Sequence, residues 1–446
     1  MFGSKKTFCS DNVHLSDKFG IQEFHYSLGL GTVEEAYQMY DFLDELNIKN
    51  FRYIIFWWEV ERKKGVYDWS RHDKLINYLK SKGLNILITF YGGNYLYDHL
   101  TKDYQKGKFS FKGAPPEGFP PCSSPALEGW LNFVEATVKR YGRFVKVWEI
   151  WNEENSGEFW QPVPNAVEYS LLLKATSLRI RKKQPEAFII MGGVTVKPGF
   201  DKFLVSCFKL GALDYVNAVG IHPYRKLPEG TFNIFGRRNQ QSFEEEIRDL
   251  RNLIAGYKQN IEIWDTESGY MNFENKSNLI AQAKYLLRSM LVEYAAGLKG
   301  LTYFKLAQTE ENPTLFTGIV SIDRKKALPA YTAYKALSHI LGSDLVKFKK
   351  SIVKKIGQDR IRLDFYYKQN KPIIAYWLIR QIDDKIVFTT RKLEIEGLKK
   401  KFSFRLFDVL NNKYLPFGKY KYNKEKQITI FYKLPLSDYP FVLLGE

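Results

Sequence analysis

The chain contains no uninterrupted apolar run of about 18 residues, the length a helix needs to cross a bilayer, so no transmembrane segment is expected. Cysteine is scarce: 446 residues hold three, Cys9, Cys122 and Cys207, far apart in the chain. With no CxxC pair and no metal-ligand spacing around the six histidines, neither a disulfide framework nor a metal site is expected. The thiols are expected to be buried and free, because unpaired cysteine behaves as a small hydrophobe. Lys5 and Lys6 precede no apolar stretch, so the first residues do not read as a signal peptide. That leaves the compartment open between the cytoplasm and export with a leader removed. Low-complexity tracts and internal repeats are missing too.

Acidic residues are in deficit, which gives a net charge of +18. The deficit is uneven: residues 331–446 hold 24 Lys and Arg against 11 Asp and Glu, and the rest of the chain 43 against 38. A basic surface attracts anionic polymers at long range, and a solvated lysine-rich face has the same composition. What is plentiful is apolar and aromatic mass, 45% and 16% of the residues. That is enough for a large core and two domains, and it excludes disorder.

Two stretches organise the rest. Val147-Trp148-Glu149-Ile150-Trp151-Asn152-Glu153-Glu154-Asn155 is an apolar run that ends with an amide and a carboxylate side by side. Ile261-Glu262-Ile263-Trp264-Asp265-Thr266-Glu267-Ser268-Gly269 repeats the design. Carboxylates at two strand exits are what glycosidic cleavage requires, one to protonate the leaving oxygen and one to attack or to activate water. Glu153 and Glu267 are the expected pair. Glu154 is the rival of the first, and Asp265, two residues back on the same strand face, is the rival of the second.

Around these stretches β-like runs alternate with helical ones. Strands are expected at 24–26, 50–57, 84–91, up to Asn152, at 187–193, 215–222, up to Glu267, and at 298–304. Helices are expected at 32–46, 71–82, 126–141, 165–183, 200–210, 242–255, 277–294 and 328–341. Residues 98–125 form a long irregular insertion rich in Gly, Pro and aromatics. Eight βα units over residues 19–341 give an α/β fold, a (β/α)8 TIM barrel with its site on the loops after the strands. Short alternating runs at 361–367, 373–379, 385–389, 402–407, 428–432 and 441–444 predict a C-terminal antiparallel β-sandwich over 342–446. Residues 1–18 have no evident barrel role and are assigned to that sandwich as a further strand.

Trp151-Asn152-Glu153 with Thr266-Glu267-Ser268-Gly269 resembles the acid/base and nucleophile pair of the retaining glycoside hydrolases of clan A, and the layout is most similar to family 39. The resemblance takes in Phe51-Arg52, Trp58, Glu61, Gly65-Val66-Tyr67-Asp68-Trp69, Tyr91-Gly92-Gly93-Asn94, Ile221-His222-Pro223-Tyr224 and Leu328-Pro329-Ala330-Tyr331-Thr332-Ala333-Tyr334. Each motif is weak alone; their order and spacing together are specific. Family members carry a trailing β-sandwich as well.

The resemblance implies double displacement, with Glu267 as ionised nucleophile and Glu153 as a protonated acid that later acts as base. It implies that Asn152 donates to the sugar 2-hydroxyl and that Arg52 and Tyr224 hold Glu267. His222 and Asn94 are expected to line the site, with a core histidine and a loop cap as their alternatives. Trp58, Tyr91, Trp160 and Phe304 are candidate platforms for apolar sugar faces, with core packing as the alternative. Clan members usually place Trp where this chain has Phe304, and the neighbouring Lys305 suits an anionic substrate. The expected partner is therefore a polysaccharide or oligosaccharide, anionic in one reading, cut by an endo-acting enzyme on a microbial exopolysaccharide. An exo-acting glycosidase and a non-catalytic glycan-binding protein are the alternatives. Nucleic acid is not an expected partner, and no cofactor is expected because two carboxylates suffice.

Overall fold

The computed structural model describes residues 19–97, 118–196, 199–230, 242–270, 278–308, 317–343, 345–396, 398 and 402–446. Strands β1 (Gly20–Gln22), β2 (Asn50–Phe56), β3 (Asn85–Tyr91), β4 (Val147–Asn152), β5 (Phe188–Thr195), β6 (Ala218–His222), β7 (Glu262–Asp265) and β8 (Thr302–Phe304) are parallel and pair in the order β7-β6-β5-β4-β3-β2-β1-β8. The ring closes between β7 and β8 through two single bridges, Trp264 with Lys299 and Ser268 with Tyr303. The fold is a (β/α)8 barrel. Its strands are apolar on both faces because one face fills the lumen and the other meets helices, and every residue of β2, β4 and β5 is buried.

The helices between strands start where the sequence supplies caps. Thr32 and Glu35 form a reciprocal capping box, as do Ser242 and Glu245, and the Asn165 side chain accepts from the Val167 and Glu168 amides. The first strand differs from expectation: it is Gly20–Gln22, not 24–26. Glu23 turns its carboxylate back to accept from the His25 amide at 2.8 Å, so the chain leaves the sheet there and curls into a turn. The helix expected over 32–46 is split at Phe42 into Val33–Asp41 and Leu43–Leu46. The seventh strand stops at Asp265, so Glu267 stands two residues beyond it.

The C-terminal part is an antiparallel sandwich. Its larger sheet joins β14 (Lys413–Leu415), β13 (Phe404–Asp408), β17 (Phe441–Gly445), β11 (Lys371–Leu378), β10 (Asp359–Lys368) and β9 (Val346–Ile356) in that order. Its smaller sheet is β12 (Phe388–Glu396), β16 (Ile428–Ser437) and β15 (Tyr420–Asn423). The strand expected at 385–389 begins later, because Asp383 caps the Lys385 amide at 2.9 Å and keeps that segment in a turn. Cys207 is buried, as a small hydrophobe should be, whereas Cys122 is exposed. The assignment of residues 1–18 to the sandwich, and most of the 98–125 insertion, lie outside the described residues.

The two parts share buried ion pairs. Helix Leu279–Ala295 has no side-chain cap of its own at its start, and Asp384 of the sandwich accepts from the Ile280 and Ala281 amides at 3.1 and 3.0 Å. Lys284 on the same helix is fully buried against Asp438 of the sandwich at 2.7 Å. Glu229, on the loop after β6, accepts from Arg288 at 2.8 Å and from the Trp377 indole of β11 at 2.6 Å.

Candidate active site

At the exit of β4 the backbone reverses abruptly: Trp151 and Glu153 sit at φ 77° and 49°, in the left-handed region that non-glycine residues rarely enter. The Glu153 amide donates to the Gly193 carbonyl at 3.0 Å, which ties the turn to β5. Strand β5 carries Gly192-Gly193, and both lack of side chains matters. A Cβ on Gly193 would stand 2.0 Å from Nε2 of His222, so only glycine leaves room for that imidazole. His222, at the end of β6, then meets Glu153 Oε1 through Nδ1 at 2.9 Å.

Glu267 comes from the β7 exit. Its Oε2 accepts from Arg52 at 2.9 Å and from the Gln22 side-chain amide at 2.9 Å, and its Oε1 accepts from the Tyr224 hydroxyl at 2.9 Å. Burial pushes its carboxyl up, but the His222 imidazole, the Arg52 guanidinium and the bonds from Gln22 and Tyr224 outweigh it and leave the carboxyl below its ordinary value. Arg52 is itself held rigidly: it donates to Glu149 at 2.8 Å, to Gln22 at 2.7 Å and to Asn152 Oδ1 at 2.8 Å. Thr89 donates to the same Glu149 oxygen at 2.6 Å. The resulting layer spans β1, β2, β3, β4 and the exits of β6 and β7. A carboxylate oxygen of Glu153, one of Glu267 and a nitrogen of His222 lie within 4.8 Å of one another.

Six expected residues therefore meet: Glu153, Glu267, His222, Arg52, Tyr224 and Asn152. Neither rival belongs to this cluster. Glu154 and Asp265 are both wholly buried, and Asp265, which accepts from Ser268 at 2.7 Å, is pushed well above its ordinary value by burial and then by the charge of Glu293.

Three of the other expected contacts, Trp160, Asn94 and Tyr91, are taken up by packing or loop bonds. Trp160 is fully buried and packs edge-on against Trp151 and Tyr169 at 5.3 and 5.6 Å, so it is core and offers no sugar platform. Asn94 is spent on its own loop, donating to the Glu61 carbonyl and accepting from the Leu96 amide, both at 2.9 Å. Tyr91 is buried edge-on to Trp151 and Phe56. Trp58 stays half-buried on the rim, and its indole N–H has no partner among the described residues. Phe304 stacks on Phe24 at 5.9 Å, and the Lys305 ammonium lies 5.2 and 5.4 Å from the two ring centroids. Phe304 is the register partner of Gln22, which places this pair beside the support of Glu267.

Gln22, Glu149, Thr89 and Phe24 escape the sequence reading. Glu149 does have a signal, a lone acid at a lumen-facing position inside an apolar strand. Gln22 has only the faint one of an amide ending a three-residue strand.

No family model matches the chain, and no curated protein matches it in sequence. Its fold is similar to that of a family 39 glycoside hydrolase from the gut symbiont Bacteroides cellulosilyticus WH2, with a TM-score of 0.71 at 18% identity over 96% of this chain and 81% of that one. It is also similar to a monomeric β-xylosidase from Caulobacter crescentus CB15, with a TM-score of 0.63 at 16% identity over 96% of each chain. A family 30 endoxylanase from Clostridium papyrosolvens C71 follows the same path, with a TM-score of 0.62 at 11% identity over 96% of each chain. Barrel and sandwich together thus share the fold of these three solved structures.

Proposed function

We propose that the chain is a retaining glycoside hydrolase that cleaves O-glycosidic bonds of a polysaccharide or oligosaccharide by double displacement. The observation that carries this reading is the approach of Glu153 and Glu267, together with His222, to within 4.8 Å. Retaining enzymes keep their two carboxyls about 5 to 5.5 Å apart, whereas inverting enzymes need about 6.5 to 9.5 Å to admit a water.

Glu267, held ionised by Arg52, Gln22 and Tyr224, attacks the anomeric carbon and forms the glycosyl-enzyme. Glu153 gives its proton to the departing oxygen, then takes one from the water that releases the sugar. Asn152 accepts from Arg52 with its oxygen, which leaves its amide N–H groups for the sugar 2-hydroxyl. Phe304 and Phe24 form the apolar floor, and Lys305 beside them supports a carboxylate-bearing sugar. The basic last quarter of the chain supports an anionic polymer, and we favour endo cleavage of a microbial exopolysaccharide.

The decisive experiment is a glycan screen with product analysis on wild type, Glu267→Ala and Glu153→Ala. Each variant loses turnover of the substrate found, and the first product of the wild type keeps the anomeric configuration. Full activity in either variant, or an inverted product, sinks the assignment. Monosaccharides as sole products from a long polymer overturn endo action alone.

A further inference from the structure

The turn that carries Glu153 holds a second carboxyl that no step of the proposed reaction uses. Glu154 is wholly buried, and among the described residues neither of its oxygens has a hydrogen-bond partner. Gly192 makes room for it: a Cβ there would lie 2.4 Å from Glu154 Oε2 and 2.8 Å from the Ile150 carbonyl oxygen. The side chain is thus lodged against β4 and β5, on the residue that follows the left-handed Glu153.

The groups that face it are of the wrong kind to hold a charge. Glu149 lies on β4 and Glu153 on the turn itself, both acids. Cys207 approaches from helix Phe200–Lys209. The Tyr169 hydroxyl approaches from helix Ala166–Lys183, but it already donates to Ile150 O at 3.0 Å and accepts from the Gly192 amide at 2.8 Å. None of these is a cation. A carboxylate buried without a counter-charge takes up a proton instead, and burial, aided by Glu149 and Glu153 and only partly offset by the nearby Glu154 backbone amide and Tyr169 hydroxyl, pushes this carboxyl up to about 8. Neutral, it packs as a wedge that fixes the turn. Ionised, it must draw in water or leave its slot, and Glu153 is the next residue.

We propose that Glu154 is a positioning residue that holds Glu153 against His222 only while it is uncharged, so that its deprotonation in alkaline solution disarms the site. The proposal bears on the reaction through the glycosidase reading, but its test uses the resting protein, so its failure and the failure of that reading are separate events. The full chain is labelled with carbon-13 at the glutamate carboxyls and nitrogen-15 in the histidine rings, and both are followed by NMR through alkaline pH. The Glu154 carboxyl is expected to titrate with a midpoint near 8, far above the ordinary 4.5. The His222 ring signal is expected to step at the same midpoint, and to lose that step in Glu154→Gln. A Glu154 midpoint near the ordinary value overturns the proposal, as does an identical His222 curve in both proteins. If the variant does not fold, the native protein alone decides: midpoints for Glu154 and His222 that differ by more than about one pH unit overturn it.

Discussion

A methyl group on Gly193 would lie 2.0 Å from Nε2 of His222, so the glycine on one strand fixes where the imidazole of the next can sit. Because His222 meets Glu153 through its other nitrogen, Gly193→Ala is expected to move the acid/base without touching it. Misplacing a catalytic group by about 1 Å costs about 100-fold in rate. Steady-state kinetics on the substrate found should show that loss in kcat, alongside a stability loss of about 1 to 3 kcal/mol from overpacking a buried site.

Arg52 bridges two carboxylates, Glu149 and Glu267, with no solvent on its side chain. Removing it in Arg52→Met leaves both acids without their shared cation, and breaking such a buried pair costs about 3 to 5 kcal/mol. Urea unfolding at neutral pH measures it. A loss below about 1 kcal/mol would show that the network contributes little to stability.

The lowered carboxyl of Glu267 has a signed consequence. A group whose folded value lies below its unfolded one stabilises the fold above the unfolded value, and that contribution is lost as pH falls through the folded value. Glu267→Gln removes it. The stability difference between wild type and variant should therefore shrink steadily below about pH 4.5, the ordinary glutamate range. Thermal unfolding scans across that acidic window test this, and a difference that does not change with pH counts against it.

Lys305 lies over Phe24 and Phe304 near the supports of the nucleophile. If it reads a sugar carboxylate, Lys305→Met should lower kcat/KM for the acidic substrate by about tenfold, the scale of one charge-assisted hydrogen bond. The carboxyl-reduced form of the same glycan should be hardly affected. Equal losses on both would assign Lys305 to packing alone.

Much of this molecule is legible in its sequence for a physical reason. Barrel strands are short apolar runs that stop at polar residues, so Asn50 to Tyr91 and the two motif stretches announce themselves. β1 does not, because it has three residues and the aromatic run after it looks more like a strand than it does. β9, with five lysines among its eleven residues, hides for the opposite reason: its alternation is masked by charge. At the site, strand-end residues such as Glu267 and Tyr224 are readable locally. The bonds from Arg52 to Gln22 and Glu149 join residues 30 and 97 positions apart, and no local pattern encodes them. Trp160 illustrates the converse, since an aromatic near a strand end looks the same in sequence whether it faces sugar or core.

Asp384 sits at the start of helix Leu279–Ala295, which connects β7 to β8 across the seam of the ring. Modularity is therefore limited in this chain: a chimera that grafts the barrel onto a foreign sandwich must transplant Asp384 and Asp438 with it. Without them the graft would leave the buried Lys284 ammonium without its carboxylate partner. Engineering of one half therefore has to be planned with the other in view.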